Sequence, residues 1–191
     1  MFNDLQWGRR CAAGALWALA VWGAGAGAQT TPPKAAAPGA GVPVVSQLWH
    51  VDYDVAADGK SSVAYATQHQ VVHASALERM KSFSFSYSSG IQTAQILEAY
   101  TLKADGRRIP VPPTHSQAEA SDGRDGAKPW FSGRTRISVV FPDLAVGDSV
   151  GMRYRIDDKE SIFPGAFSVV QGFSPYGVHE DSRITIRAPK G

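Results

Sequence analysis

From Val44 onward, apolar and polar residues alternate with the two-residue period of β-strands. Trp49, Val51, Tyr53 and Val55 alternate with His50, Asp52 and Asp54. Asp58-Gly59 then supplies turn chemistry, and Val63, Tyr65, Thr67, His69 and Val71 resume the alternation, so the two runs predict a hairpin. One short helix is expected over Ser75 to Lys81, with Ser75 as its N-cap. Phe83, Phe85 and Tyr87 mark another strand, and Gln92 to Leu102 a longer one ending at Asp105-Gly106. Arg108 to Val111 returns and is stopped by Pro112-Pro113. His115 to Lys128 is polar and glycine-rich and reads as a mobile loop. Further strands are expected at Arg134 to Phe141, Ser149 to Asp157, Ala166 to Phe173 and Ser182 to Ala188. Many short strands with almost no helix predict an all-β fold, an antiparallel β-sandwich over residues 44–191.

The chain before Val44 follows other rules. Arg9 and Arg10 precede an apolar run from Cys11 to Val21, and Ala26-Gly27-Ala28 offers a small-x-small site. This is the layout of a secretory signal peptide over residues 1–28, cleaved between Ala28 and Gln29. The glycine-broken run makes a poor bilayer span, so no membrane span is expected after cleavage. Residues 29–43 form a Pro/Ala-rich linker, too poor in bulky side chains to offset the entropy of ordering it. The expected localisation is periplasmic or secreted.

Charge and cysteine usage change with this division. From Val44 onward, 16 Lys+Arg balance 16 Asp+Glu, leaving no basic field to attract nucleic acid. The one cysteine, Cys11, lies in the signal segment, so the mature chain has no thiol nucleophile and no disulfide.

Candidate chemistry is sparse. His69 and His73 stand four apart, which on a strand separates them by about 13 Å. His50, His115 and His179 have no ligand-like neighbour at useful spacing. The acidic groups (Asp52, Asp54 and Asp58; Asp122 and Asp125; Asp157, Asp158 and Glu160; Glu180 and Asp181) lack the spacing of a helix-loop-helix calcium loop and read as turns and a solvated rim. No Gly-x-Ser-x-Gly elbow occurs, and no helix follows Gly123, Gly126 or Gly133 to cradle phosphate. No catalytic residue, metal site or cofactor is therefore expected. Trp130-Phe131, two large aromatics after a polar loop, are the candidate binding residues for a sugar or peptide.

Three stretches and the closing strand together resemble a known family. They are Leu97 to Val111 (LEAYTLKADGRRIPV), Phe141 to Arg155 (FPDLAVGDSVGMRYR), Phe163-Pro164-Gly165-Ala166-Phe167, and Ser182 to Gly191 (SRITIRAPKG). In order and spacing they resemble domain of unknown function 3857, the N-terminal β-sandwich partner of transglutaminase-like domains in exported bacterial proteins. Gly151 departs from the family pattern, in which that position often carries an acidic residue. The resemblance implies a partner, a C-terminal Cys-His-Asp domain of transglutaminase-like type or another envelope protein. It also implies that Pro189-Lys190-Gly191 leads into a further strand, so that the sandwich is incomplete at this end. The expectation is an exported, non-catalytic accessory module. The alternatives are a free-standing glycan- or peptide-binding sandwich and a hydrolase in its own right.

Overall fold

Period-two patterning folds into two packed sheets. The structure, a computed structural model, describes residues 41–121, 133–161, 163–172 and 177–190. The signal segment with its Ala28/Gln29 junction, most of the linker, Asp122, Asp125 and Trp130-Phe131 lie outside the described residues.

The strands are β1 (Val44–Val55), β2 (Ser61–Val71), β3 (Ser82–Ser88), β4 (Gln92–Leu102), β5 (Arg108–Pro110), β6 (Ser116–Ser121), β7 (Arg134–Val140), β8 (Ser149–Asp158), β9 (Val178–His179) and β10 (Ser182–Arg187). The larger sheet has the order β10-β1-β2-β8-β4-β5, with β9 also paired to β1; the smaller has the order β3-β7-β6. Strand pairs β1–β2, β2–β8 and β8–β4 are antiparallel, the first of them as its hairpin turn requires. Both β9 and β10 run parallel to β1. The expected antiparallel β-sandwich is what forms, and these parallel pairs add to it: β10 reaches β1 through the long connection after β8, the kind of crossover that parallel pairing needs.

The core lies between the sheets. Phe85 of β3, Ile137 and Val139 of β7, and Phe141 meet Val150, Met152 and Tyr154 of β8. Tyr154 is stacked between Phe85 (ring centroids 4.1 Å apart) and Tyr65 of β2 (4.6 Å). Burial pushes the Tyr154 phenol well above the usual tyrosine range, with Tyr65 and Tyr53 adding to the shift. Each such buried side chain contributes roughly 1.5–3 kcal/mol.

Local expectations are corrected at three places. Ser116–Ser121, read as loop, is β6, an edge strand paired to β7 with Ala118 opposite Ile137 and Ala120 opposite Thr135. Its apolar members are alanines, too small to register as a buried row. Conversely, described residues 163–172 contain no strand, where Ala166 to Phe173 was expected to form one. There Phe167 turns onto Tyr53 in an edge contact (centroids 5.5 Å apart), while Val170 is 92% exposed. The helical segment begins as a 3-10 turn, Ala74–Ala76, and continues as α1, Leu77–Met80. Its cap is His73, whose ring accepts from the Ser75 amide, and not Ser75.

Candidate functional site

A polar and aromatic concavity lies where the β1–β2 hairpin meets the segment after β8. Gly59, at the hairpin tip, has φ +86°, and a Cβ there would stand 2.8 Å from the Ala166 carbonyl oxygen and 2.9 Å from that of Phe163. Only glycine allows that backbone conformation and that approach together. The Gly165 amide closes the junction by donating to the Asp58 carbonyl (3.0 Å).

Asp158 organises the floor. The Ser61 amide and hydroxyl both donate to its Oδ2 (2.9 and 2.7 Å), and Gln92 Nε2 donates to its Oδ1 (2.9 Å). Above it, Tyr53, Tyr65, Phe163 and Phe167 complete a cavity of about 340 Å³. Gln171 donates to the Tyr53 hydroxyl. Burial, with Tyr53 beside it, pushes the Tyr65 phenol up to about 12, so it stays a neutral donor. The buried Ser161 hydroxyl, also in this wall, has no partner among the described residues. Flat aromatic surface beside amide and hydroxyl groups suits a ligand with one apolar face and many hydroxyls or amides.

The histidines distribute differently from their spacing. His50, read as having no useful neighbour, meets Asp181, 131 residues away: its Nε2 stands 2.7 Å from Asp181 Oδ2. That contact ties β1 to the start of β10. His179 is likewise brought near His69, with β1 between their strands. His73 serves as the cap, and His115 ends an exposed 3-10 turn. Among the described residues, no three His, Cys, Asp or Glu side chains are grouped to hold a metal ion.

The acidic groups are largely paired. Arg187 reaches Asp52 (3.4 Å) and Asp54 (3.3 Å), Lys60 meets Asp58 (2.8 Å), and Arg155 Nε donates to Asp157 (2.9 Å). One carboxylate escaped sequence reasoning. Asp148, 2% exposed, accepts from Lys103 Nζ (2.7 Å) and from the amides of Ala104 (2.9 Å) and Ala145 (2.8 Å). It ties the β4–β5 turn to the β7–β8 turn. In the sequence it is only the acidic residue just before the strand expected from Ser149.

On the outer face of the larger sheet, Tyr100 covers Gly151 and donates to Gln68 Oε1 (3.0 Å). The Arg108 guanidinium stacks 3.4 Å above the Tyr100 ring and pairs with Glu98 (2.8 Å). The Tyr100 side chain fills the space beside Gly151 that a side chain at that position would need.

Comparison with known proteins agrees with this architecture. The family model of DUF3857, a domain of unknown function with a solved structure, matches residues 57–191. A crystal structure from Parabacteroides distasonis ATCC 8503, described as a "putative protease", superposes with a TM-score of 0.56 at 18% identity. The match covers 61% of this chain and 23% of that one, and at this identity it shows a shared fold alone. The CBM3a-L domain with flanking linkers from the Clostridium thermocellum cellulosome scaffoldin cipA matches at 10% identity over 61% of this chain and 68% of that one. Its TM-score of 0.34 carries no argument. No curated protein matches the chain in sequence.

Proposed function

This chain belongs to the DUF3857 family, and from that premise we propose that it is an exported, non-catalytic accessory module. It would serve a larger envelope protein whose transglutaminase-like or peptidase-like chemistry resides in another domain. The observation that carries this reading is one of proportion: the fold shared with the Parabacteroides protein occupies 23% of that much longer chain. A fold used as a minor part of a longer chain is suited to presenting, shielding or orienting a neighbour. The pairing of the charged groups within the sandwich supports the same reading, since Asp148, Asp158 and His50 are engaged in holding strands and turns together. The test is an assay of the purified, metal-replete chain for transamidation and peptide hydrolysis. Background rates are expected. Activity abolished by a single substitution at His69, His115, Asp125 or His179 would make the chain an enzyme and end the proposal.

A second reading, a glycan- or peptide-binding sandwich, is favoured by the Tyr53–Phe167 cavity and its amide and hydroxyl groups. Trp130-Phe131, the pair singled out in the sequence, lie outside the described residues. Quenching of tyrosine fluorescence by envelope oligosaccharides or short peptides, lost in Phe167→Ala, is the expected result of this reading. Equal responses from Phe167→Ala and the parent chain would remove the cavity from consideration.

A further inference from the structure

A second concavity, away from the Tyr53 cavity, carries a different chemistry. Cross-strand register sets Ser46 of β1 directly between His69 of β2 and His179 of β9. Directly paired residues share one face of a sheet, so the three side chains stand in a row. They line a cavity of about 340 Å³, together with Arg79 of α1.

Three features of this wall point to the sign of its ligand. Among the described residues, the charged or titratable groups lining the cavity are His69, His179 and Arg79, with no carboxylate. Ser46 is 6% exposed, and its Oγ has no hydrogen-bond partner among the described residues. Burial and the nearby His179 both hold the His69 imidazole below its usual range, so the side chains of the pocket alone resist gaining positive charge. An anion between the imidazoles would reverse that resistance. A metal cation would face the guanidinium with only two imidazoles to hold it.

We propose that the Ser46–His69–His179 row with Arg79 is a binding site for a small oxyanion. The shared chemistry is a planar or tetrahedral group of charged oxygens, supplied by a carboxylate or by phosphate. Arg79 provides the forked guanidinium suited to either, and the imidazoles provide ring N–H donors. The site is independent of the accessory-module reading: it would exist whether the chain stands alone or beside a catalytic domain.

The experiment follows the histidine Cε1–H resonances of the full chain by proton NMR during separate titrations with inorganic phosphate and with acetate. Saturable movement of the His69 and His179 signals is expected, with a dissociation constant on the order of 1 mM. The two arms separate phosphate from carboxylate as the preferred source. Binding should be tighter at pH 6 than at pH 8, because bound anion favours the imidazolium forms. Arg79→Ala, a change at an exposed helical position, should weaken binding by about tenfold or more. His50 and His115 serve as internal controls and should not move with the same isotherm. Unsaturable drift of all histidine signals together, or an affinity unchanged in Arg79→Ala, would overturn the proposal. So would saturable binding of Zn²⁺ with no response to either anion.

Discussion

The Tyr100 ring occupies the space that any side chain at position 151 would need. A Cβ built on Gly151 meets Cζ, Cε1 and Oη of Tyr100, all atoms of one phenol group. Gly151→Ala therefore forces the ring away from Gln68 and from under Arg108. Overpacking of this kind costs about 1–3 kcal/mol. Urea midpoints should fall accordingly, and Gly151→Ala in a Tyr100→Ala background should cost less than in the parent chain. Additive losses would mean that the ring is not what the glycine accommodates.

Asp148 makes stability depend on acid. Burial alone would raise its pKa, but hydrogen bonds from Lys103 and from the Ala104 and Ala145 amides outweigh that and hold it below the usual carboxylate range. A carboxyl with a lowered folded-state pKa stabilises the fold above its unfolded value, near 3.8, and loses that contribution as pH falls through the folded value. Asp148→Ala should cost about 1–3 kcal/mol at pH 7, because it removes a buried acceptor from two amides and leaves Lys103 with Asp143 alone. The variant should also lose less stability than the parent chain between pH 5 and pH 3. Parallel pH profiles for the two proteins would deny Asp148 this role.

These two residues illustrate what was legible in the sequence. The strand containing Tyr100 was bounded correctly, Gln92 to Leu102, because strong alternation ends there at an Asp-Gly turn. Strands β3, β7 and β8 were found within a residue at each end for the same reason. β6 was not, since an edge strand whose apolar members are exposed alanines has no apolar signature. Side-chain roles were harder still. His50 and Asp181 meet across the β1–β10 edge, and Ser46 meets His69 and His179 across three strands, so local spacing held no sign of either. Gly147-Asp148 stands just before β8, and nothing local shows that its carboxylate would be buried beside Lys103.

His69 gives a second pH dependence at milder acidity. Its folded-state pKa is lowered by burial and by His179, so below about 6.5 the unfolded chain takes up a proton that the folded chain resists. Stability should therefore be complete above that value and decline as pH falls from it. His69→Gln should flatten the decline between pH 7.5 and pH 5.5, measured in buffers free of phosphate and carboxylate. An unchanged slope would show that other groups govern this range.

The last prediction concerns β10. Its register places Ile184 opposite Val51 and Ile186 opposite Tyr53, on the same face as these buried residues. Yet Ile184 is 39% and Ile186 52% exposed, and among the described residues β10 pairs on one side alone, with β1. Its other backbone edge presents unpaired N–H and C=O groups beside an apolar row, which is a template for pairing with another chain. What opposes this is charge: Arg187 is drawn onto Asp52 and Asp54, and Arg183 approaches Asp181. Exposed ion pairs of this kind are worth little and weaken with salt, whereas apolar contacts do not. Self-association should therefore increase with ionic strength, as read by light scattering. Ile186→Lys should suppress it by placing a charge in the apolar row, at little cost to the urea midpoint because the side chain is half exposed. Association that falls with salt, or that persists in Ile186→Lys, would place the contact elsewhere than on β10.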